Sequence, residues 1–331
     1  MLLLSAILFH GFIDAYATGN PNQPANHQNF VSGAGTTASR ANDVSLNLAE
    51  AELARDPKPI GFHLALIAGD GAEIVHSGEP HRRVYRHLYQ ASVSYAVGRR
   101  LLLEGGVYPS HIGYETLFSK DNWNYTRGWM GEFSPYYQTG IKVSYAWSER
   151  WSGQLHVLRG WQRIHDNNSA KSLGTQIAFS GSRLAAVFNT IAGPELDKDN
   201  RRVRLFGDWI VTYKVNARFS LAGSFDRGKQ RFATLSSANW SGASLWFRYT
   251  MSHRSAMAAR VERFRDPDNV VSGAPQSISE ATLTYEIRPR KNLTAKIEGR
   301  RDHSTALVFA KSRNAMTNDQ TLLLFGIVAA F

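Results

Sequence analysis

Along the whole chain, apolar and polar residues alternate with period two in segments of about ten residues, and the gaps between segments are alternately long and short. In residues 87–97, His87, Tyr89, Ala91, Val93, Tyr95 and Val97 oppose Gln90, Ser92 and Ser94. In residues 277–288, Ala281, Leu283, Tyr285 and Ile287 oppose Glu280, Thr282, Thr284 and Glu286. Residues 42–53 group Val44, Leu46 and Leu48 against Ser45 and Asn47. Such alternation marks strands with two different faces. With residues 9–18 as the first strand and 320–331 as the last, the count is about sixteen, within a range of roughly 14–18.

The connections carry more information than any single strand. The short ones include residues 98–100, 148–150 and 215–217, and the long ones include 19–41, 71–86, 109–136 and 302–319. They alternate in order, so every long connection falls on one rim. A soluble sandwich has no reason to sort its loops by parity. An all-β transmembrane antiparallel barrel does, with short periplasmic turns and long external loops. No apolar run reaches the roughly 18 residues of a membrane helix, so a membrane protein with this sequence must be a barrel. One barrel domain is expected to span residues 1–331.

Solvent then assigns the faces. A Lys or Arg at mid-depth in lipid costs about 2–4 kcal/mol, so the charged faces must point inward, where water is expected. They carry Glu104, Lys142, His156, Arg204, Asp208, Lys214, Arg248, Arg260, Glu262, Glu280, Glu286, Lys296, Glu298 and Arg300. Tyr95, Tyr145, Trp147, Trp209, Tyr213, Tyr249 and Tyr285 are candidates for interfacial girdles. The inward charges nearly cancel. The net charge of +11 is therefore expected mostly in loops and rims, for example at Arg82, Arg83 and Arg86. A balanced wall with a basic mouth predicts a weak anion preference.

The chain ends QTLLLFGIVAAF, with Leu323, Phe325, Ile327 and Phe331 on one face. Gly326, Ala329 and Phe331 resemble the Gly-x-x-apolar-x-Phe ending that barrel-assembly machinery reads in outer-membrane proteins. Ala329 is small for that pattern, and Leu324 stands where a polar residue is common. At the other end, Leu2 to Phe9 is apolar and Ala15-Tyr16-Ala17 has the shape of a signal-peptide cleavage site; the alternative is a first strand at residues 9–18, with residues 1–10 holding a signal-peptide remnant. No Lys or Arg precedes that site and Asp14 is out of place, so a first strand at residues 9–18 is the preferred reading.

Several chemistries are excluded or disfavoured. There is no Cys, hence no disulfide scaffold and no thiol ligand. HExxH, Walker A and GxSxG are absent, and no cofactor is expected. Gly33-Ala34-Gly35 lacks the strand-to-helix setting of a nucleotide loop. His81, His87 and His111 read as surface histidines without metal-ligand spacing. Asp302-His303-Ser304 names triad residue types, but sequence neighbours cannot converge as a triad does. Lys and Arg are spread along the chain, which argues against nucleic acid.

With strands and loops placed, the wording of the chain resembles the beta-barrel porin-2 (OmpL-like) family of bacterial outer-membrane proteins. The resemblance rests on GFIDAY at Gly11, NDVSLNLAEAEL at Asn42, GYETLFSKDNWNYTRG at Gly113, PYYQTGIKVSY at Pro135, DNNSAKSLGTQIAF at Asp166, GPE at Gly193, RFRDPD at Arg263, ATLTYEIRPRKNLTAKIEGRRDHS at Ala281 and the terminal strand. The run from Asp121 to Tyr125 is its most specific part. The resemblance implies a bacterial outer-membrane channel for passive diffusion of small hydrophilic solutes, not an enzyme. Lipid, lipopolysaccharide and the assembly machinery are its expected partners, and a homo-oligomer is compatible with it. An outer-membrane hydrolase, or a structural or adhesive barrel without an open pore, remains the alternative class.

The longest connection, residues 109–136, is where selectivity is expected. In classical porins the loop at this place folds into the lumen. Here the aromatic residues would anchor it to the inner wall, with Lys120 and Arg127 facing the pore and Glu115 and Asp121 beside them. The alternative is an external loop packed on its neighbours.

Overall fold

The computed structural model describes residues 6–31, 33–79, 85–233 and 237–331. Sixteen strands close into one antiparallel barrel, each paired with the barrel strands before and after it. They are β1 (Leu8–Gly19), β2 (Val44–Arg55), β3 (Ile60–Ala68), β4 (Leu88–Val97), β5 (Leu101–Pro109), β6 (Tyr137–Ala146), β7 (Trp151–Leu158) and β8 (Ser172–Ser180). The barrel continues with β9 (Leu184–Pro194), β10 (Val203–Lys214), β11 (Phe219–Gln230), β12 (Ala238–Ser252), β13 (Ser255–Asp266), β14 (Gln276–Arg290) and β15 (Leu293–Ser304). A small hairpin, β16 (Phe309–Ala310) with β17 (Met316–Thr317), precedes the closing strand β18 (Asp319–Ala330).

Closure removes the free edges that an open sheet would expose. β18 pairs with β1 from Phe12 opposite Ala330 to Gly19 opposite Leu323. The last residue seals the seam. Gly11 N donates to the Phe331 carbonyl at 3.0 Å, and Phe331 N donates to the Gly11 carbonyl at 2.9 Å. The Phe331 ring stacks on Phe9 and covers Gly11, where a Cβ would lie 2.6 Å from it. Ala15 and Ala17 sit within β1, opposite Ile327 and Phe325.

The connections sort as expected. Residues 98–100 and 253–254 are among the short turns on the rim that also holds Phe331, and the connections 20–43, 110–136 and 305–318 leave and rejoin the strands at the other rim. Leu323, Phe325 and Ile327 are exposed on the outer face, and Leu322, Leu324 and Val328 are buried inside.

Two faces differ from the simple alternation. The β1–β2 register shifts at Asp14/Ala15, and Leu48 turns inward (1% exposed) while Val44 and Leu46 stay outside. The β3–β4 register shifts at Ala65/Leu66, and Tyr89 turns inward to pack on Phe118 at 4.9 Å. A bulge adds one residue to one strand, which reverses the facing of what lies beyond it.

Candidate functional site

On β13, β14 and β15, Arg260, Glu262, Glu280, Glu286, Lys296, Glu298, Arg300 and Asp302 stand at alternate positions, so these charges project to the inside. The register sets Glu262 beside Glu280, Thr282 beside Arg300, Thr284 beside Glu298 and Glu286 beside Lys296. Against this wall lies the segment of residues 110–136. Its one-turn helix, Trp129–Glu132, is buried throughout.

The contacts between wall and segment are largely side chain to backbone. Lys296 Nζ donates to the carbonyls of Ser119 (2.7 Å), Asn122 (2.6 Å) and Asn124 (3.3 Å). Glu298 accepts from the backbone N–H groups of Tyr125 (2.6 Å) and Thr126 (3.0 Å). Arg300 donates to the Arg127 carbonyl at 2.6 Å, and Glu262 accepts from Met130 N at 2.8 Å. Arg260 is the hub. It pairs with Glu115 at 2.6 Å and Glu280 at 2.9 Å, and it donates to the Thr126 carbonyl at 2.6 Å. Trp246 donates to Glu115 at 3.2 Å, and Trp129 donates to Asp302 at 2.7 Å.

The segment also reaches across to β1 and β18. The Tyr125 hydroxyl donates to Asp14 at 2.6 Å. Its ring lies on Gly326, where any Cβ would overlap it. The first long connection, residues 20–43, closes over the segment. Glu132 accepts from Gly35 N (2.9 Å), Thr36 N (3.1 Å) and the Thr36 hydroxyl (2.9 Å). Arg127 N donates to the Thr37 hydroxyl at 3.1 Å.

These charges were expected to meet water. Instead, Arg260, Lys296, Arg300, Glu262, Glu280, Glu286 and Glu298 are all buried. Taking an ion out of water costs several kcal/mol, offset only where partners meet its donors or lone pairs. The segment's carbonyls and N–H groups are such partners for Arg260, Glu262, Lys296, Glu298 and Arg300, whereas Glu280 is held by Arg260 and Glu286 by Arg248. Arg127, expected in the pore, is 2% exposed and stacks on the Tyr136 ring at 4.2 Å. Its Nη2 donates to the Glu115 carbonyl at 3.2 Å, while Nε and Nη1 have no partner among the described residues. Lys120 stays partly exposed, paired with Asp121 at 2.8 Å and set over the Phe12 ring.

The remaining candidates sit elsewhere on the inner wall. Lys142 pairs with Glu104 at 2.6 Å, and Arg248 pairs with Glu286 at 2.7 Å. Asp208 accepts from Gly113 N at 2.8 Å and from Asn189 at 2.9 Å. Arg204 donates to Gln230 at 2.9 Å and lies over the Trp161 ring. Lys214 is exposed at the short-turn end of β10. Gly326 and Ala329 face opposite sides of β18, opposite Tyr16 and Ile13 of β1.

Two sets of polar residues went unread in the sequence. Asp14 receives Tyr125, Ser119 and Asn47, and its only signal was a lone carboxylate on the inner face of an apolar strand. Thr36 and Glu132 join two connections far apart in sequence, which no local pattern announces. His111 is not a surface histidine. It lies inside, stacked on His156 at 4.1 Å and hydrogen-bonded with Gln138 at 2.8 Å, and burial holds its pKa below the usual value. His87 lies 2.9 Å from the Ile67 carbonyl. His81, Arg82 and Arg83 lie outside the described residues, and Arg86 pairs with Glu73 at 3.1 Å. Asp302 and Ser304 face inward and His303 outward, so alternation separates the three triad types. Among the described residues, no group of three or more His, Asp or Glu could hold a metal ion.

Space remains on the other side of the segment. A cavity of about 270 Å3 lies between it and β2–β4, lined in part by Glu50, Glu52, Tyr89 and Asp121. Nearer the long-loop rim, a second cavity of about 310 Å3 is lined in part by Trp161, Arg163, Glu195 and Arg204. Lower in the barrel, Lys142, Ser144, Gln154 and Gln176 face inward and are only half-buried.

The family described as "Putative beta-barrel porin-2, OmpL-like" matches residues 6–331, and the chain belongs to it. No curated protein matches the sequence. Solved structures share the fold. An anion-selective porin from Comamonas acidovorans has a TM-score of 0.65 at 12% identity, covering 99% of this chain and 100% of that one. The trimer form of OmpT, an outer-membrane protein of Vibrio cholerae, has a TM-score of 0.64 at 10% identity, over 99% and 100% of the two chains. The outer-membrane channel DcaP of Acinetobacter baumannii has a TM-score of 0.63 at 10% identity, over 99% and 97%. The protein is thus a porin-like barrel of the bacterial outer membrane.

Proposed function

We propose that this porin-2 family member is a passive channel for small hydrophilic solutes, and that solutes pass beside the 110–136 segment along β2–β7. The observation that carries this reading is the uneven attachment of the segment, whose charged contacts concentrate on β12–β15 although it also touches β1, β4, β6 and β10. It occupies the inner faces of β12–β15 through Glu115, Arg260, Glu262, Lys296, Glu298 and Arg300. On the opposite side, Glu50, Glu52, Lys142, Ser144 and Gln154 keep part of their surface. In this role the segment narrows the pore, and Lys120 and Asp121 line its free side.

We further propose a weak preference for anions. The β13–β15 charges are neutralised locally, so the surplus of +11 acts from the rims and loops. Arg163 and Arg204 sit at the outer cavity, and Glu50 and Glu52 deeper inside oppose them. A rim potential fades within a Debye length of about 10 Å at 0.1 M salt. The test is the reversal potential across a planar bilayer under a salt gradient. Anion preference should appear at low salt, shrink at high salt and weaken in Arg163→Glu/Arg204→Glu. Cation preference in the unmodified channel contradicts the basic mouth, and absence of any conductance contradicts the channel.

A further inference from the structure

The outer surface of the barrel carries a cationic cluster directly beside an apolar groove. Arg227 and Lys229 of β11 and Arg263 and Arg265 of β13 project outward at the long-loop ends of their strands, and all four are exposed. Arg227 is opposite Ser241, which is opposite Arg265, and Arg263 is opposite Ala243. Paired strands lie about 4.8 Å apart, so the backbones at Arg227 and Arg265 are about 10 Å apart. Their long side chains can therefore meet on one group between them. Arg263 donates to Ser279 at 3.2 Å. Among the described residues, Arg227, Lys229 and Arg265 have no carboxylate partner.

The groove, about 660 Å3, is bounded by Trp209, Phe225, Leu245 and Val261, and Arg263 also lines it. Gly223 and Ala243 form its floor, and their small size creates the depression. A strip of cations at the head of an apolar furrow matches an amphiphile with an anionic head and a hydrocarbon chain. A second copy of the chain matches it poorly. The outward acid among the described strand residues is Asp319, and Arg301 already holds it at 3.1 Å. Two such faces would bring cations together.

We propose that this face binds a phosphorylated, acylated glycolipid of the outer leaflet, its phosphate held by Arg227, Arg263 and Arg265 and one acyl chain laid in the groove. Guanidinium groups suit this role because they grip phosphate oxygens in pairs. The inference rests on the long-loop rim facing that leaflet. It does not depend on whether the lumen conducts.

The test uses the purified full-length barrel in detergent with lipid A as the probe, read by native mass spectrometry. The unmodified protein should retain lipid A through gentle detergent exchange and release phosphatidylethanolamine. Arg227→Ala/Arg263→Ala/Arg265→Ala should lower lipid A affinity by more than about tenfold, the loss expected from a single charge-assisted contact. Ala243→Leu, which fills the groove and leaves the cations, should lower it less and abolish discrimination between acyl-chain lengths. Heat-modifiable gel mobility checks that each variant is folded. Equal lipid A binding by the triple variant overturns the proposal, as does equal retention of phosphatidylethanolamine. Loss of an oligomer in Ala243→Leu with lipid A binding unchanged also overturns it, because the groove would then be a subunit contact.

Discussion

Arg260 shows how a charge can be legible in a sequence while its surroundings are not. Its place on an inner face follows from the alternation of β13, because a cation is costly in lipid. Its burial does not follow, because one of its partners is the Thr126 carbonyl and another, Glu115, is far away in sequence. Every residue offers a carbonyl, so no residue type marks the positions where a segment will dock. The same holds for Lys296, whose partners at Ser119, Asn122 and Asn124 are all main-chain oxygens. Removing one member of a buried ionic group is costly because the other is left uncompensated. Arg260→Met should therefore destabilise the folded barrel by about 3–5 kcal/mol, measured by urea titration of refolding into lipid vesicles. Adding Glu115→Gln and Glu280→Gln should recover a large part of it. If the single and triple variants are equally stable, the network carries no weight. Gly326→Ala is the matching steric test: a methyl group there meets the Tyr125 ring, so the segment should shift and single-channel current should become noisier while the barrel still assembles. Quiet, unchanged current would show that Tyr125 has room to move.

At the scale of elements, alternation located all sixteen strands, and the ordering of connections located both rims. It missed the two bulges because a single extra residue leaves an alternating pattern on each side of it, with only the phase changed. Leu48 and Tyr89 were misassigned for that reason. The terminal strand combines two roles. It closes the sheet against β1, and its last residue makes two backbone hydrogen bonds with Gly11. Phe331→Asp should reduce the amount of folded barrel in the outer membrane, scored by heat-modifiable mobility. Unchanged folded material would mean that neither the ring nor the seam matters for assembly. The 110–136 segment makes the opposite prediction. Replacing residues 115–133 with a short Gly-Ser linker frees the wall charges to take up water, since they then line an open lumen. Single-channel conductance should rise severalfold, and liposome swelling should admit larger sugars. Conductance that stays the same would place the constriction elsewhere.

For the whole molecule, the proposed lumen is asymmetric: sealed along β12–β15, with its remaining space toward β2–β7 beside Glu50, Glu52, Lys142, Ser144 and Gln154. The absence of Cys allows this to be read directly, because any introduced thiol is the only one in the chain. Ser144 of β6 faces inward and is half-buried, whereas Ser244 of β12 faces inward and is 1% exposed. Both are small, so a Ser→Cys change alters little volume. The decisive measurement is single-channel current in a planar bilayer during addition of a charged, water-soluble thiol reagent. Ser144→Cys should react within seconds to minutes, and the current should fall in a step. Ser244→Cys should leave the current unchanged. Reaction at Ser244→Cys as fast as at Ser144→Cys, or current that persists through full modification of Ser144→Cys, would contradict the account.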